Sequence, residues 1–155
     1  MLIKTHLAIA MFILYFLFSF IPGIILEKLI FSLFFVIATF IVDIDSKKSK
    51  AGNHWYLRPF QWIFSHRGII HSVFVGFVLS LCIFMLNNSA GIGFFFGWCI
   101  HLFLDCFTIQ GTAVFWPLFN FKLKIFGIRS GGIIEQILFV LFLLADIFLI
   151  AKLII

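Results

Sequence analysis

Five apolar runs, roughly residues 6–21, 25–42, 69–86, 91–107 and 133–153, account for most of this chain. Each approaches the ~20 residues an α-helix needs to cross a bilayer core, and a short run is accommodated by thinning or snorkelling. The runs stop at Pro22-Gly23, at Asp43 and at Asn87-Asn88. Hydrocarbon offers no water to the backbone, so such runs must form helices that satisfy their own N–H and C=O groups. The expectation is an all-α membrane protein: about five transmembrane helices plus interfacial segments, in a single domain over residues 1–155. Composition agrees, with 64% hydrophobic and 11% charged residues, where soluble domains carry about 25% charged. Cys82, Cys99 and Cys106 are odd in number and sit inside apolar runs. They support neither a disulfide framework nor a CxxC site and read as small core residues. Lys4 before an apolar run resembles a signal peptide, but Phe18-Ser19-Phe20-Ile21-Pro22 lacks a small-x-small cleavage pattern, so a retained helix is expected.

Two polar stretches interrupt the runs. Residues 43–68 carry Trp55-Tyr56-Leu57-Arg58-Pro59 and residues 108–132 carry Trp116-Pro117 with Lys122, Lys124 and Arg129; aromatics beside charge mark interfacial segments. Five spans place both stretches and the N-terminus on one side. Lys4, Lys47, Lys48, Lys50, Arg58, Arg67, Lys122, Lys124 and Arg129 then share that side, against Lys28 and Lys152 opposite. The positive-inside rule makes it the cytoplasmic side, as for a protein of a prokaryotic inner membrane. The net charge of +5 is thus a topology signal first and an attraction for membrane lipids second. Nucleic acid is excluded as a partner, because no soluble basic domain exists to carry it, and the pattern specifies no oligomeric state.

His6, Asp43, Asp45, His66, His71, His101, Asp105 and Glu135 all fall at the cytoplasmic helix ends; the opposite side holds only Glu27 and the deeper Asp146. His101 and Asp105 are four apart and share a helix face. Asp43 and Asp45 point together only if the chain leaves the α-helix there. His66 and His71, five apart, both turn inward if Gly68 marks a loop-to-helix junction. Taken singly, each pair reads more readily as structural: a cap or hydrogen-bonded pair for His101 and Asp105, a cap or solvated turn for Asp43 and Asp45, and interfacial packing for the histidines. Together, four carboxylates at the membrane boundary require neutralisation, since desolvating an unpaired ion costs several kcal/mol. Two divalent cations would provide it, and the mixed N/O donors favour zinc, manganese or iron. A salt-bridge network with Arg67 and the nearby lysines is the competing structural reading.

The pieces Thr5-His6-Leu7, Asp43-Ile44-Asp45, His66-Arg67-Gly68-Ile69-Ile70-His71-Ser72, His101-Leu102-Phe103-Leu104-Asp105, Thr108, Gly111, Trp116-Pro117 and Glu135 resemble, in order, the YdjM-like membrane-bound, predicted metal-dependent hydrolases. Where that family often has Pro before the first Asp, His after the second and Thr in the histidine string, this chain has Val42, Ser46 and Ile70. The resemblance implies a metal site at the eight residues and hydrolysis as the activity. A looser similarity, by analogy of ligand type alone, is to zinc-dependent phospholipase C and nuclease enzymes.

On this reading Arg67 and Glu135 are the catalytic candidates, Arg67 aimed at an anionic substrate group through bidentate hydrogen bonds. A site at headgroup depth points to a phospholipid or lipid-linked phosphoester. The alternative is a non-enzymatic membrane metal-binding or transport protein, which should continue its polar groups through the bilayer. Beyond the cluster only Asp146 stands out, about 16 Å of helix from Glu135. HExxH is absent, which removes the intramembrane zinc-protease reading.

Overall fold

The computed structural model describes residues 1–45, 53–58 and 69–154, the side chains of residues 45, 57, 153 and 154 excepted. The chain forms helices α1 (Ile3–Phe18), α2 (Ile25–Ile41), α3 (Val73–Phe84), α4 (Asn88–Cys106) and α5 (Ile133–Ile154), with 3₁₀ turns at Val42–Asp45, Trp55–Leu57 and Ile69–His71. One helix lies on each expected apolar run. Among the described residues there is no strand, only isolated bridges of Thr108 to Ile128 and Thr112 to Leu123.

Boundaries move where a polar side chain caps a backbone end. Ser72 Oγ accepts from the N–H of Val75 at 3.3 Å, so α3 begins after it and Ile69–His71 tightens into a 3₁₀ turn. Asn87 Oδ1 accepts from the N–H of Ala90 at 2.8 Å, which starts α4 three residues before its apolar run. Stretches of α2, α4 and α5 are long and apolar enough to cross a membrane; α1 and α3 are shorter apolar helices. The 12 residues of α3 rise only about 18 Å.

Helix α4 is the centre of the bundle, packed between α2 and α3, while α1 packs on α5 and α2. Two glycines permit the close approach of α2. A Cβ on Gly93 would sit 2.3 Å from the carbonyl oxygen of Phe31, and one on Gly97 would sit 2.1 Å from that of Phe35. Small residues four apart are what membrane helices use to bring backbones together. Around this contact Ala38, Val42, Ile70, Phe94, Trp98 and Leu102 form one core cluster, and Ala10, Leu14, Ile21, Phe31 and Phe35 another.

Residues 107–132 fold back over the end of the bundle. The N–H groups of Ile125 and Ile128 donate to the carbonyls of Cys106 and Phe107 at 2.8 and 3.0 Å, and Thr112 and Leu123 exchange backbone bonds. Thr108, Thr112 and Ala113 are buried, whereas Leu118, Phe119 and Phe126 point outward. Trp55 and Tyr56 are exposed; the rest of the first expected interfacial stretch, residues 46–52 and 59–68, lies outside the described residues. The expectation of three core cysteines needs correction. Cys106 is buried and donates to the carbonyl of Leu102 at 3.2 Å, Cys99 is half-buried, and Cys82 is exposed. A thiol behaves as a small hydrophobe, so a lipid-facing position costs it little.

Gly97→Val is expected to lower stability by about 1–3 kcal/mol or more, because the branched side chain meets backbone rather than a side chain that can move. Gly127→Ala, whose Cβ would meet nothing nearer than 3.9 Å, should stay within about 0.5 kcal/mol. Thermal unfolding of both variants in detergent, followed by circular dichroism, checks the contrast.

Candidate metal centre

The start of α1, the turn after α2, the turn before α3 and the end of α4 meet at one end of the bundle. There Asp43, His71, His101 and Asp105, all buried, bring one potential ligand atom each to within 4.8 Å of one another. The local chain dictates this placement. Tightening from α2 into a 3₁₀ turn carries Asp43 inward; the turn ending at His71 does the same from the other side. One turn of α4 stacks His101 over Asp105. His101 Nε2 lies 3.6 Å from Asp43 Oδ1 and 3.7 Å from Asp105 Oδ2; His71 Nε2 lies 3.5 and 3.6 Å from the same two oxygens. These separations are long for hydrogen bonds. Two ligand atoms, each about 2.1 Å from a tetrahedral ion, lie about 3.4 Å apart, close to what is seen.

Backbone carbonyls fix which imidazole nitrogen faces inward. A carbonyl only accepts, so His101 Nδ1, 2.8 Å from the carbonyl oxygen of Thr39, carries the hydrogen. His6 Nδ1 lies 3.2 Å from the carbonyl oxygen of Leu2 in the same relation. In a neutral ring this leaves the lone pair on Nε2. Both Nε2 atoms are buried without a hydrogen bond. An imidazole oriented by a carbonyl on one nitrogen and free on the other is the usual state of a metal-binding histidine. The donor set of two imidazoles and two carboxylates could therefore hold a metal ion.

A surrounding frame holds these side chains. Thr39 Oγ1 donates to the carbonyls of Phe35 at 2.9 Å and Gly97 at 3.3 Å, tying the carbonyl that orients His101 to the α2–α4 contact. Thr112 Oγ1 donates to the carbonyl of His71 at 3.3 Å, and Trp98 Nε1 to that of Ser72 at 3.1 Å. Thr108 Oγ1 donates to the carbonyl of Asp105 at 2.8 Å. None of Thr39, Ser72, Trp98 or Thr112 carries a role in the sequence reading; a buried threonine inside an apolar run was the available signal.

The other expected site residues are placed as follows. His6 is fully buried, stacks on His101 with ring centres 4.2 Å apart, and has Nε2 3.4 Å from Asp105 Oδ1. The same oxygen accepts from the Met1 amino group at 3.0 Å. Glu135, also fully buried, is outside the four-residue group: its carboxylate accepts from the N–H of Leu2 and, at 2.5 Å, from the N–H of Gly131. Those bonds clasp the first residues of α1 to the start of α5. Asp45 closes the 3₁₀ turn after α2, but its side chain lies outside the described residues, as do His66 and Arg67.

Helices fit to span a membrane and a buried histidine–aspartate cluster at one end of their bundle define an integral membrane protein with a metal-type site. The family model described as YdjM inner membrane protein matches residues 1–154, and the chain belongs to that family. Inner membrane protein YdjM of Escherichia coli (strain K12) and that of Shigella flexneri are each 30% identical to it over 112 residues, 65% of this chain and 57% of theirs. The chain thus matches little more than half the length of these relatives. No solved structure matches it significantly.

His101→Ala should lose stoichiometric metal from detergent-purified protein. Glu135→Gln should keep the metal and lose about 1.5–3 kcal/mol of stability, since an amide NH₂ then faces a backbone donor. Elemental analysis beside a thermal melt separates the two; metal loss with unchanged stability in Glu135→Gln would instead make Glu135 a ligand.

Proposed function

We propose that this protein is a metal-dependent hydrolase that cleaves a phosphoester of a phospholipid or lipid-linked substrate at the cytoplasmic membrane interface. The observation that carries this reading is the convergence of Asp43, His71, His101 and Asp105, buried, from distant chain segments. Bound there, a divalent ion supplies Lewis acidity toward a phosphoryl oxygen and an activated water at neutral pH. The chain's own part is to hold the donors rigidly through Thr39, Thr112 and the backbone carbonyls, and to exclude bulk water.

The substrate class follows from position. The site lies at the end of the bundle where residues 107–132 present Lys122, Lys124 and Arg129 among outward-facing apolar side chains, a surface suited to anionic headgroups. Arg67 supports the same choice by its charge and its place in the HRGxxHS string. Metal transport, the other reading, is less well supported, because the far half of the bundle is filled by Ala10, Leu14, Ile21, Phe31 and Phe35 rather than by a polar path. Asp146 lies apart, in a cavity of about 490 Å³ that Leu14, Tyr15, Ser19 and Ser32 also line.

Protein purified in detergent and loaded with zinc or manganese should release phosphate or a phosphorylated headgroup from micelles of short-chain phosphatidic acid or phosphatidylglycerol. His101→Ala and Asp43→Asn should reduce this to the uncatalysed background. Full metal loading without release from either lipid, together with metal uptake into proteoliposomes, would favour the transporter.

A further inference from the structure

We infer that the cavity beside Asp146 binds an amphiphile that carries an ammonium group on an apolar body, at a site within the membrane that shares no residue with the metal centre. Helices α1, α2 and α5 enclose about 490 Å³ there; Asp146, Tyr15, Ser19 and Ser32 are its polar side chains, and Leu14 and Leu149 stand on its apolar wall. Small-molecule pockets measure about 300–1,000 Å³. Asp146 lies about 16 Å of helix beyond Glu135, near the middle of a hydrocarbon core about 30 Å thick. An occupant at that depth arrives through lipid, which selects an amphiphile over a hydrated ion.

The charge of the head group follows from which hydrogens are already committed. Ser19 Oγ donates to the carbonyl of Phe16 at 3.2 Å, and Ser32 Oγ donates to that of Lys28 at 2.7 Å. A hydroxyl has one hydrogen, so both serines have only lone pairs left to offer the cavity. Asp146 adds a carboxylate, and among the described residues no hydrogen bond or ion pair reaches it. Lys28 does not neutralise it: its ammonium donates to the carbonyl of Phe18, on the cavity wall, at 3.4 Å and lies over that ring. An ionised carboxylate in hydrocarbon costs several kcal/mol until a partner restores what water gave it. A primary ammonium brings a positive charge and three N–H donors to this acceptor-rich wall. A carboxylate or phosphate head would meet like charge at Asp146 and two spent hydroxyls. Tyr15 can donate or accept and discriminates against neither.

The full chain in nanodiscs of phosphatidylcholine, photolabelled with a diazirine-bearing alkylamine and digested for mass spectrometry, tests this. Label should fall on residues 11–19 and 146–150, which line the cavity, should saturate, and should be displaced by dodecylamine but not by dodecanoic acid. Asp146→Asn, which replaces the carboxylate by an amide of the same size, should weaken displacement by dodecylamine at least about tenfold, as expected when a charged hydrogen bond becomes a neutral one. Labelling that does not saturate, or equal displacement by the amine and the acid, overturns the inference and leaves Asp146 a protonated carboxyl in contact with lipid. Wild-type displacement in a folded Asp146→Asn overturns it as well. The contrast between amine and acid in the wild-type protein decides the matter even if the variant does not fold.

Discussion

An ionised carboxylate taken out of water costs several kcal/mol unless partners restore what hydration gave it, and this bundle buries Asp43 and Asp105 side by side. Much of the architecture at that end answers this demand. Three imidazoles surround the two carboxylates, and two of them, His6 and His101, are aimed by carbonyl groups rather than by packing alone. Like-charged groups held this close inside a hydrocarbon-facing bundle repel each other until a cation of comparable charge joins them. The third buried carboxylate, Glu135, is handled differently: backbone N–H groups of Leu2 and Gly131 satisfy it.

Positional accuracy at the cluster originates in the α2–α4 contact. Gly93 and Gly97 let α2 approach until backbone meets backbone, and Thr39 bonds across to the carbonyl of Gly97 while its own carbonyl holds His101. Packed membrane helices of this kind have little room to shear, so the donors are fixed by the least deformable part of the molecule. The segment 107–132 adds a second restraint through Thr112 and its bond to the carbonyl of His71. The turn that carries His71 and the segment that exposes Lys122, Lys124 and Arg129 are thus joined by one hydrogen bond within a short stretch of chain.

Most of the fold was legible because hydrocarbon leaves so few options: an apolar run of sufficient length becomes a helix, and all five did. The misplaced boundaries trace to single hydrogen bonds, Ser72 to Val75 and Asn87 to Ala90, which hydropathy does not register. Asp43, His71, His101 and Asp105 stood out in the sequence because charged and imidazole groups are rare and expensive next to such runs. The frame did not. Thr112 is 41 residues from the histidine it steadies, and Glu135 is held by backbone N–H groups, which leave no trace in residue identity. Nor could spacing reveal that the two oxygens of Asp105 have different neighbours, Met1 and His6 for one and His71 and His101 for the other.

The residues of the cluster come from positions 6, 43, 71, 101 and 105, so the site does not exist until α4 has entered the membrane and closed on the helices made before it. During synthesis, α1 and α2 therefore reach the bilayer with ionisable groups lacking their eventual neighbours. Binding that occurs only in the assembled state is itself assembly free energy. Should the cluster take up a metal as proposed, part of the free energy that keeps these helices joined would come from the ion.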